Sequence, residues 1–387
     1  MHKRIALVAA LVVALLAGLA PTTAQAEVAD GWDYRALSLG GTYTPLVGQF
    51  GGDEAADILW YAPGTAADSL WIGKVGGRGS SAFTKVALTI NKAYTPVVGD
   101  FFGDDYDDII WYNPGTGPDA AWEATPTPGY FTNRALTING VFRPTVLHDF
   151  TNVNRKDDIL WYAPGSAKDY LWHMNEAGTG TYTTVNLSIS GTFQTVVGDW
   201  NADGLEDLVL YAPGTAPDHR WASKADGTFA TSSLSVNGTF KPVTIYQSNG
   251  DGILWWADGA GREAYWVRNG ATFASRPVPA VSVRATVHSA GLQGAIVTVP
   301  DDLDGYFFGD ASAGDWYQLA GASHDKGAGQ VPLVADFDGD DYIDVVWYGA
   351  GTVKDELWYT APGAAQGAGR RLPAGGGEVR ATPVAPR

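Results

Sequence analysis

Residues 334–352 read VADFDGDDYIDVVWYGAGT, and five aspartates, Asp336, Asp338, Asp340, Asp341 and Asp344, fall within nine residues of it, directly before the strand-like run "VVWY". Like charges at this density repel one another, so the stretch needs something to compensate them. With Asp336 as position 1, Asp338, Asp340 and Asp344 occupy positions 3, 5 and 9. Gly339 allows a tight turn, and Tyr342 at position 7 offers its backbone carbonyl. Calcium takes six to eight such oxygens at about 2.3–2.6 Å. The regular spacing favours an ion over a merely solvated acidic turn.

The same rule fits residues 199–207, where Asp199, Asn201, Asp203, Leu205 and Asp207 hold positions 1, 3, 5, 7 and 9, Leu205 through its carbonyl. Asp100, Asp104 and Asp108 make a weaker copy, because Phe102 removes the ligand at position 3. Elsewhere the loop is eroded: Gln49 and Gly51 replace two ligands, Arg155 and Lys156 intrude on a third copy, and the copy near Asn249 and Asp251 is shortened. An ion at such a loop is therefore expected to clamp structure rather than to catalyse.

The acidic loops are one part of a longer repeat. Residues 48–71, GQFGGDEAADILWYAPGTAADSLW, align with 99–122, GDFFGDDYDDIIWYNPGTGPDAAW, and with 198–221, GDWNADGLEDLVLYAPGTAPDHRW. Repeats begin near residues 45, 95, 144, 194, 242, 285 and 331, the sixth being a worn copy. Each reads as four short strands: a run such as "TPVVG", the loop, a run such as "DIIWY", a "PGTxxD" turn to a run ending near Trp, and a fourth run such as "RALTI". A four-stranded sheet of this size cannot bury both faces alone, and radial repetition lets each sheet cover the next. The expected fold is all-β, a seven-bladed β-propeller of four-stranded antiparallel blades spanning residues 27–387. The text "YRALSLGGTYTPLVGQF" near the start and "RRLPAGGGEVRATPVAP" near the end both resemble the internal connector, so either terminus offers a strand to close the ring.

Residues 1–26 read as a secretory signal: basic His2, Lys3 and Arg4, an apolar run, and the small-residue site Ala24-Gln25-Ala26. The expected location is secreted, with no membrane insertion after cleavage. Cysteine is absent, which removes disulfides and thiol chemistry. A net charge of −17 argues against nucleic acid as a partner.

The D-x-D-x-D-G-x-x-D style loop before a hydrophobic strand resembles the FG-GAP or VCBS-type repeats, whose best-known fold is the calcium-bearing seven-bladed propeller of integrin α subunits and of some fungal lectins. That resemblance implies a domain that binds glycans or proteins and is usually not a catalyst. The residues agree in lacking a zinc-spaced histidine pair and a G-x-S-x-G elbow. The expectation is thus a binding protein, not an enzyme, with an extracellular glycan as ligand and an extracellular protein as the alternative. A glycoside hydrolase is a remote alternative, for which Asp301, Asp302, Asp304 and Asp310 are the acids outside the repeat text. Trp71, Trp122, Trp172, Trp221 and Trp358, with Trp266 in a variant setting, are candidate sugar platforms, although outer-strand packing is the favoured explanation for them.

Overall fold

The computed structural model describes residues 32–78, 82–147, 156–174, 181–245, 250–257, 263–269, 272–277, 286–289, 294–298, 305–310, 315–318, 330–340 and 344–360, with backbone alone between 286 and 318. The signal-like segment 1–26 and the C-terminal connector-like text lie outside these residues.

The described chain forms a β-propeller of four-stranded antiparallel blades. Blade 1 comprises Thr44–Gly48, Asp57–Tyr61, Asp68–Ile72 and Thr84–Leu88, hydrogen-bonded in chain order. Blade 2 follows with Thr95–Gly99, Asp108–Tyr112, Asp119–Ala124 and Phe131–Leu136, and blade 3 with Arg143–Leu147, Asp158–Tyr162, Asp169–Met174 and Tyr182–Leu187. Blade 4 is Gln194–Gly198, Asp207–Tyr211, Asp218–Ser223 and Phe229–Leu234, and blade 5 is Lys241–Ile245, Gly252–Trp256, Ala264–Asn269 and Thr272–Pro277. The closing blade takes three strands from one end of the chain, Gln330–Ala335, Asp344–Gly349 and Asp355–Thr360, and its outer strand, Trp32–Leu37, from the other. Six blades are thus described with their side chains, where the repeat count leads to seven. The worn unit contributes a four-stranded sheet, Thr286–Ser289, Gly294–Thr298, Gly305–Asp310 and Asp315–Gln318, described as backbone pairing only.

Burial follows position in the blade. Second strands such as Asp57–Tyr61 and Asp108–Tyr112 are buried at every residue, because neighbouring blades cover both faces, and they accordingly read as unbroken apolar runs. Fourth strands such as Thr84–Leu88 alternate between exposed and half-buried, as one solvated face requires. Neighbouring blades are joined by aromatic contacts. Tyr348 meets Trp60, Tyr61 meets Trp111, Tyr112 meets Trp161 and Tyr211 meets Trp255, with ring centroids 5.0–5.1 Å apart in each pair. Offset or edge-on aromatic pairs of this kind contribute about 0.5–1.5 kcal/mol beyond the area they bury.

Two further contacts recur. The aspartate of each PGTxxD-type turn is buried and accepts two backbone N–H groups: Asp119 from Asn113 at 2.7 Å and Ile138 at 2.6 Å, and Asp169 from Ala163 at 2.8 Å and Ile189 at 2.7 Å. The second-strand tyrosine then pins the connector to the next blade. Tyr112 Oη donates to the Gly140 carbonyl at 2.8 Å and accepts from Phe142 N–H at 2.8 Å, and Tyr162 does the same with Gly191 and Phe193.

Closure of the ring reuses this set across the two chain ends. Trp32–Leu37 pairs in register with Asp355–Thr360, Asp355 accepts from Gly349 and Leu39 N–H, and Tyr348 Oη accepts from Tyr43 N–H at 2.7 Å. The N-terminal connector, not the C-terminal one, therefore fills the open slot. We predict that Tyr348→Phe costs about 1–3 kcal/mol of stability, since it leaves a part-buried N–H without its acceptor. Amide hydrogen exchange should then rise in residues 32–43 before any other strand; unchanged protection there would count against this seam as the weak point of the ring.

Candidate metal centre

The loop that joins the first two strands of the closing blade folds back on itself through Asp336. Its Oδ1 accepts from Gly339 N–H at 2.7 Å and from Asp340 N–H at 3.2 Å, a turn that Gly339 closes with φ +68°. The bend brings single carboxylate oxygens of Asp336, Asp338 and Asp340 within 4.8 Å of one another. Two oxygens that both ligate calcium at about 2.4 Å lie at most about 4.8 Å apart, so the three can share one ion. Asp338 supplies the stronger indication. Its side chain is 1% exposed, and the partner of its carboxylate is an arginine from another blade. The charge beside it is Arg78 of blade 1, whose Nε lies 2.5 Å from Asp338 Oδ2 and whose Nη2 lies 2.7 Å from Asp340 Oδ2. Burial and the neighbouring Asp340 push the Asp338 carboxyl up to about 6, against the pull of Arg78.

Position 9 behaves differently. Asp344 is fully buried and its Oδ2 accepts from Phe337 N–H at 2.9 Å. Its counterparts share this use: Asp108 accepts from Phe101 and Ala124 N–H, and Asp207 from Ser223 N–H and Arg220. Asp57 accepts from Phe50 and Gly73 N–H although its loop carries Gln49 and Gly51 at positions 1 and 3. These side chains anchor the loop to the third strand, and the structure brings positions 1, 3 and 5 together without them. Tyr342 lies outside the described residues.

In blade 4, Asp199 accepts from Asp203 N–H at 3.2 Å and Gly204 N–H at 2.9 Å, Asn201 Oδ1 from Asp203 N–H at 2.8 Å, and Asp203 Oδ1 from Leu205 N–H at 3.0 Å. The loop thus repeats the tight turn of the closing blade, with Asp203 exposed. In blade 2, Asp100 caps the amides of Gly103, Asp104 and Asp105, and burial raises its carboxyl to about 6. Phe102 is buried in the core beneath Arg134, so the missing ligand at position 3 has become a packing residue.

The tryptophan candidates sit mainly in packing positions. Trp71, Trp172 and Trp358 are buried and Trp122 and Trp221 half-buried. Trp71, Trp122, Trp172 and Trp358 each stand 5.1–5.4 Å from a second-strand tryptophan, and Trp172 also stacks on Tyr182 at 3.8 Å. Asp301, Asp302 and Asp304 lie outside the described residues. Asp310 ends a strand opposite Asp315.

A second set of acids, which the spacing rule did not single out, joins the blades. Asp107 accepts from Gln49 N–H of the preceding blade at 2.7 Å, Asp157 from Asp100 N–H at 2.8 Å, and Asp251 from Asp199 N–H at 2.8 Å. Glu206 holds the same place in blade 4. Burial and mutual repulsion hold Asp157 and Glu206 well above the usual carboxylate range.

The fold and its loops define a class: a β-propeller of four-stranded blades in which one described inter-strand loop carries an acidic triad that could hold a metal ion. No protein-family model matches the chain, and no curated protein sequence matches it, so membership of the FG-GAP or VCBS family is not shown. Among solved structures it is similar to a protein from Lactobacillus plantarum (14% identity, 82% of this chain and 97% of that one, TM-score 0.49). It is also similar to rhamnogalacturonan lyase YesW (12%, 86% and 73%, TM-score 0.44) and to NanB sialidase from Streptococcus pneumoniae (10%, 83% and 56%, TM-score 0.29). A lyase and a sialidase among these neighbours correct the expectation that the chain is not an enzyme. At such identities the likeness concerns the fold alone.

The buried acids give the stability a pH dependence. Burial raises the Asp57 carboxyl from 3.8 to about 8, more than its two amide hydrogen bonds lower it. A group raised in the folded state binds more protons there than in the unfolded chain, so its contribution is complete below about pH 4 and is lost as pH rises towards 8. Asp157 and Glu206 act in the same direction. In chelator the unfolding midpoint should therefore be higher at pH 5.5 than at pH 8, and Asp57→Asn should flatten the difference. A midpoint that rises with pH in chelator would refute this account.

Proposed function

We propose that the chain is an exported, calcium-clamped propeller, its ring completed to seven blades by the sheet between 286 and 318, that recognises an acidic extracellular or cell-surface glycan. The observation that carries the glycan reading is a cleft of about 290 Å³ between the outer strand of the closing blade and blade 1, lined by Arg35, Leu37, Trp71, Phe83 and Lys85 among others. The Lys85 ammonium sits 3.6 Å from the centre of the Trp71 ring, and Arg35 is held in place by Asp33. Aromatic carbon beside two cations suits a sugar ring that bears a carboxylate. Recognition of this kind serves a carbohydrate-active enzyme as well as a binding module.

Exposed Tyr130, 70% accessible, favours a second reading, a protein-docking face near the loop before the fourth strand of blade 2. An array of glycans probed with the mature protein separates the two. Hits that share an acidic sugar, weakened about tenfold by Lys85→Gln, would support the cleft. Hits confined to neutral sugars would reject it, and a blank array from folded protein would favour a protein partner.

Calcium is the ion that the oxygen-only donor sets of the two full loops suit best. An ion that binds only the folded state stabilises by mass action, about 2.7 kcal/mol at a hundredfold excess over Kd. Calcium should raise the melting temperature by several degrees, and Asp338→Ala with Asp203→Ala should remove most of that gain. An unchanged melting curve in chelator would count against the clamp.

A further inference from the structure

The cation beside Asp338 reaches it from another blade, 260 residues away in sequence. Arg78 ends the segment Lys74–Arg78, which follows the third strand of blade 1 and is seated directly on the acidic loop of the closing blade. Gly76 N–H donates to the Asp338 carbonyl at 2.6 Å, and Val75 packs so close to Gly339 that a Cβ there would lie 2.8 Å from Val75 Cγ2. Tyr359 Oη donates to the Gly77 carbonyl at 3.1 Å, and the Arg78 guanidinium lies 5.2 Å from the centre of the Tyr359 ring. The arginine is thus delivered by a fixed hairpin. It covers two of the three carboxylates that would ligate an ion.

The neighbouring seams indicate that this placement follows the acidity of the loop. Blade 1 has lost its acids at Gln49 and Gly51, and there the corresponding hairpin of blade 2 presents Pro128, whose ring abuts Gly52, and the Thr125 carbonyl, which faces Gly51. Blade 4 keeps Asp199, Asn201 and Asp203, and there blade 5 presents Arg268, whose Cδ lies against Gly250 beside Ala202 of the loop. At the blade 2 loop, which keeps Asp100 and Asp104 but has Phe102 at position 3, blade 3 presents Lys156, whose side chain lies against Gly103; a cation thus comes from the next blade at loops with an acid at position 1, and proline where that position is Gln49.

We propose that Arg78 is the resident counter-cation of the closing-blade loop, and that Arg78 and a divalent cation are alternative occupants of the Asp336–Asp338–Asp340 cluster. Both place positive charge on Asp338 and Asp340, and a guanidinium bonded to those carboxylates repels an ion held by them. Metal entry then requires Arg78 to leave, which loosens the hairpin's hold on the closing blade to the contacts of Val75, Gly76 and Gly77. Metal-free protein keeps its buried carboxylate neutralised by the arginine. The inference rests on the metal reading given above and adds its regulation: the ring is latched by an internal cation when calcium is scarce.

The test is calcium titration by calorimetry in an Asp203→Ala background, which leaves the closing-blade loop as the reporting site, with and without Arg78→Gln. Arg78→Gln should bind calcium at least tenfold more tightly, melt several degrees lower in chelator, and recover that loss when calcium is added. Equal affinity with and without Arg78 would overturn the latch and leave the metal site standing. No binding in either protein would overturn both. Hydrogen exchange on the unmodified chain gives an answer that does not depend on the variant folding. Calcium should protect residues 336–340 and deprotect 74–78; protection of both segments together would overturn the latch.

Discussion

The interaction on which the rest of the structure depends is the buried aspartate that accepts backbone amides at the ends of the strands. Every fully described blade except blade 5 has one at the start of its second strand, and all but that blade have another in the turn before the third. Short strands leave many loop N–H groups under cover, where each unpaired one costs about 1–3 kcal/mol. A carboxylate can satisfy two at once from opposite sides of a turn. Its own desolvation is the cost, visible in the raised carboxyls of Asp57 and Asp108. Much of the charge of −17 is therefore inside the molecule and serves architecture, which weakens any argument from net charge to the surface.

This double use also explains what could be read from the sequence. The strands, their order in the blade and the propeller were legible because each rests on local pattern: fully buried second strands read as "DILWY" or "DIIWY", and turns as "PGTxxD". The blade-packing role of the "WY" tyrosines and tryptophans followed from their repetition. The metal rule was only partly right, since spacing places a side chain but does not aim it. Asp344 satisfies position 9 as well as any ligand would, yet it turns towards Phe337 N–H. Phe102 could be read as a lost ligand, but not as a core residue under Arg134.

Long-range contacts left no local trace. Which terminus closes the ring depends on the pairing of Trp32–Leu37 with Asp355–Thr360, and both ends carry a text that would serve. The inter-blade acids Asp107, Asp157 and Asp251 look like ordinary members of an acidic loop, and only the structure assigns each to an amide of the preceding blade. Their pattern was present in the sequence as an acid directly before the second strand, but nothing in one sequence separates that acid from its neighbours.

The seams differ from one another, and the difference explains why an arginine stands where it does. At blades 2, 3 and 5 the residue before the second strand is acidic and accepts an amide from the loop behind it, whereas blade 1 has Ala56, which only donates its N–H to the Asp336 carbonyl at 2.7 Å. The junction between the closing blade and blade 1 thus has no acid in the place that Asp107, Asp157 and Asp251 take at the junctions into blades 2, 3 and 5. It is also the junction at which the three C-terminal strands must be held to the N-terminal part of the chain without a peptide bond. The outer-strand pairing and the Tyr348 and Asp355 contacts hold one side of that gap. The Lys74–Arg78 hairpin holds the other, at the acidic loop. A ring loses its closure only when both sides open together, so a contact that compensates the missing acid at Ala56 has most effect at this junction. The guanidinium there neutralises Asp338 and bridges the gap in one step, whereas a metal held by Asp336, Asp338 and Asp340 would have these ligands in the closing blade alone.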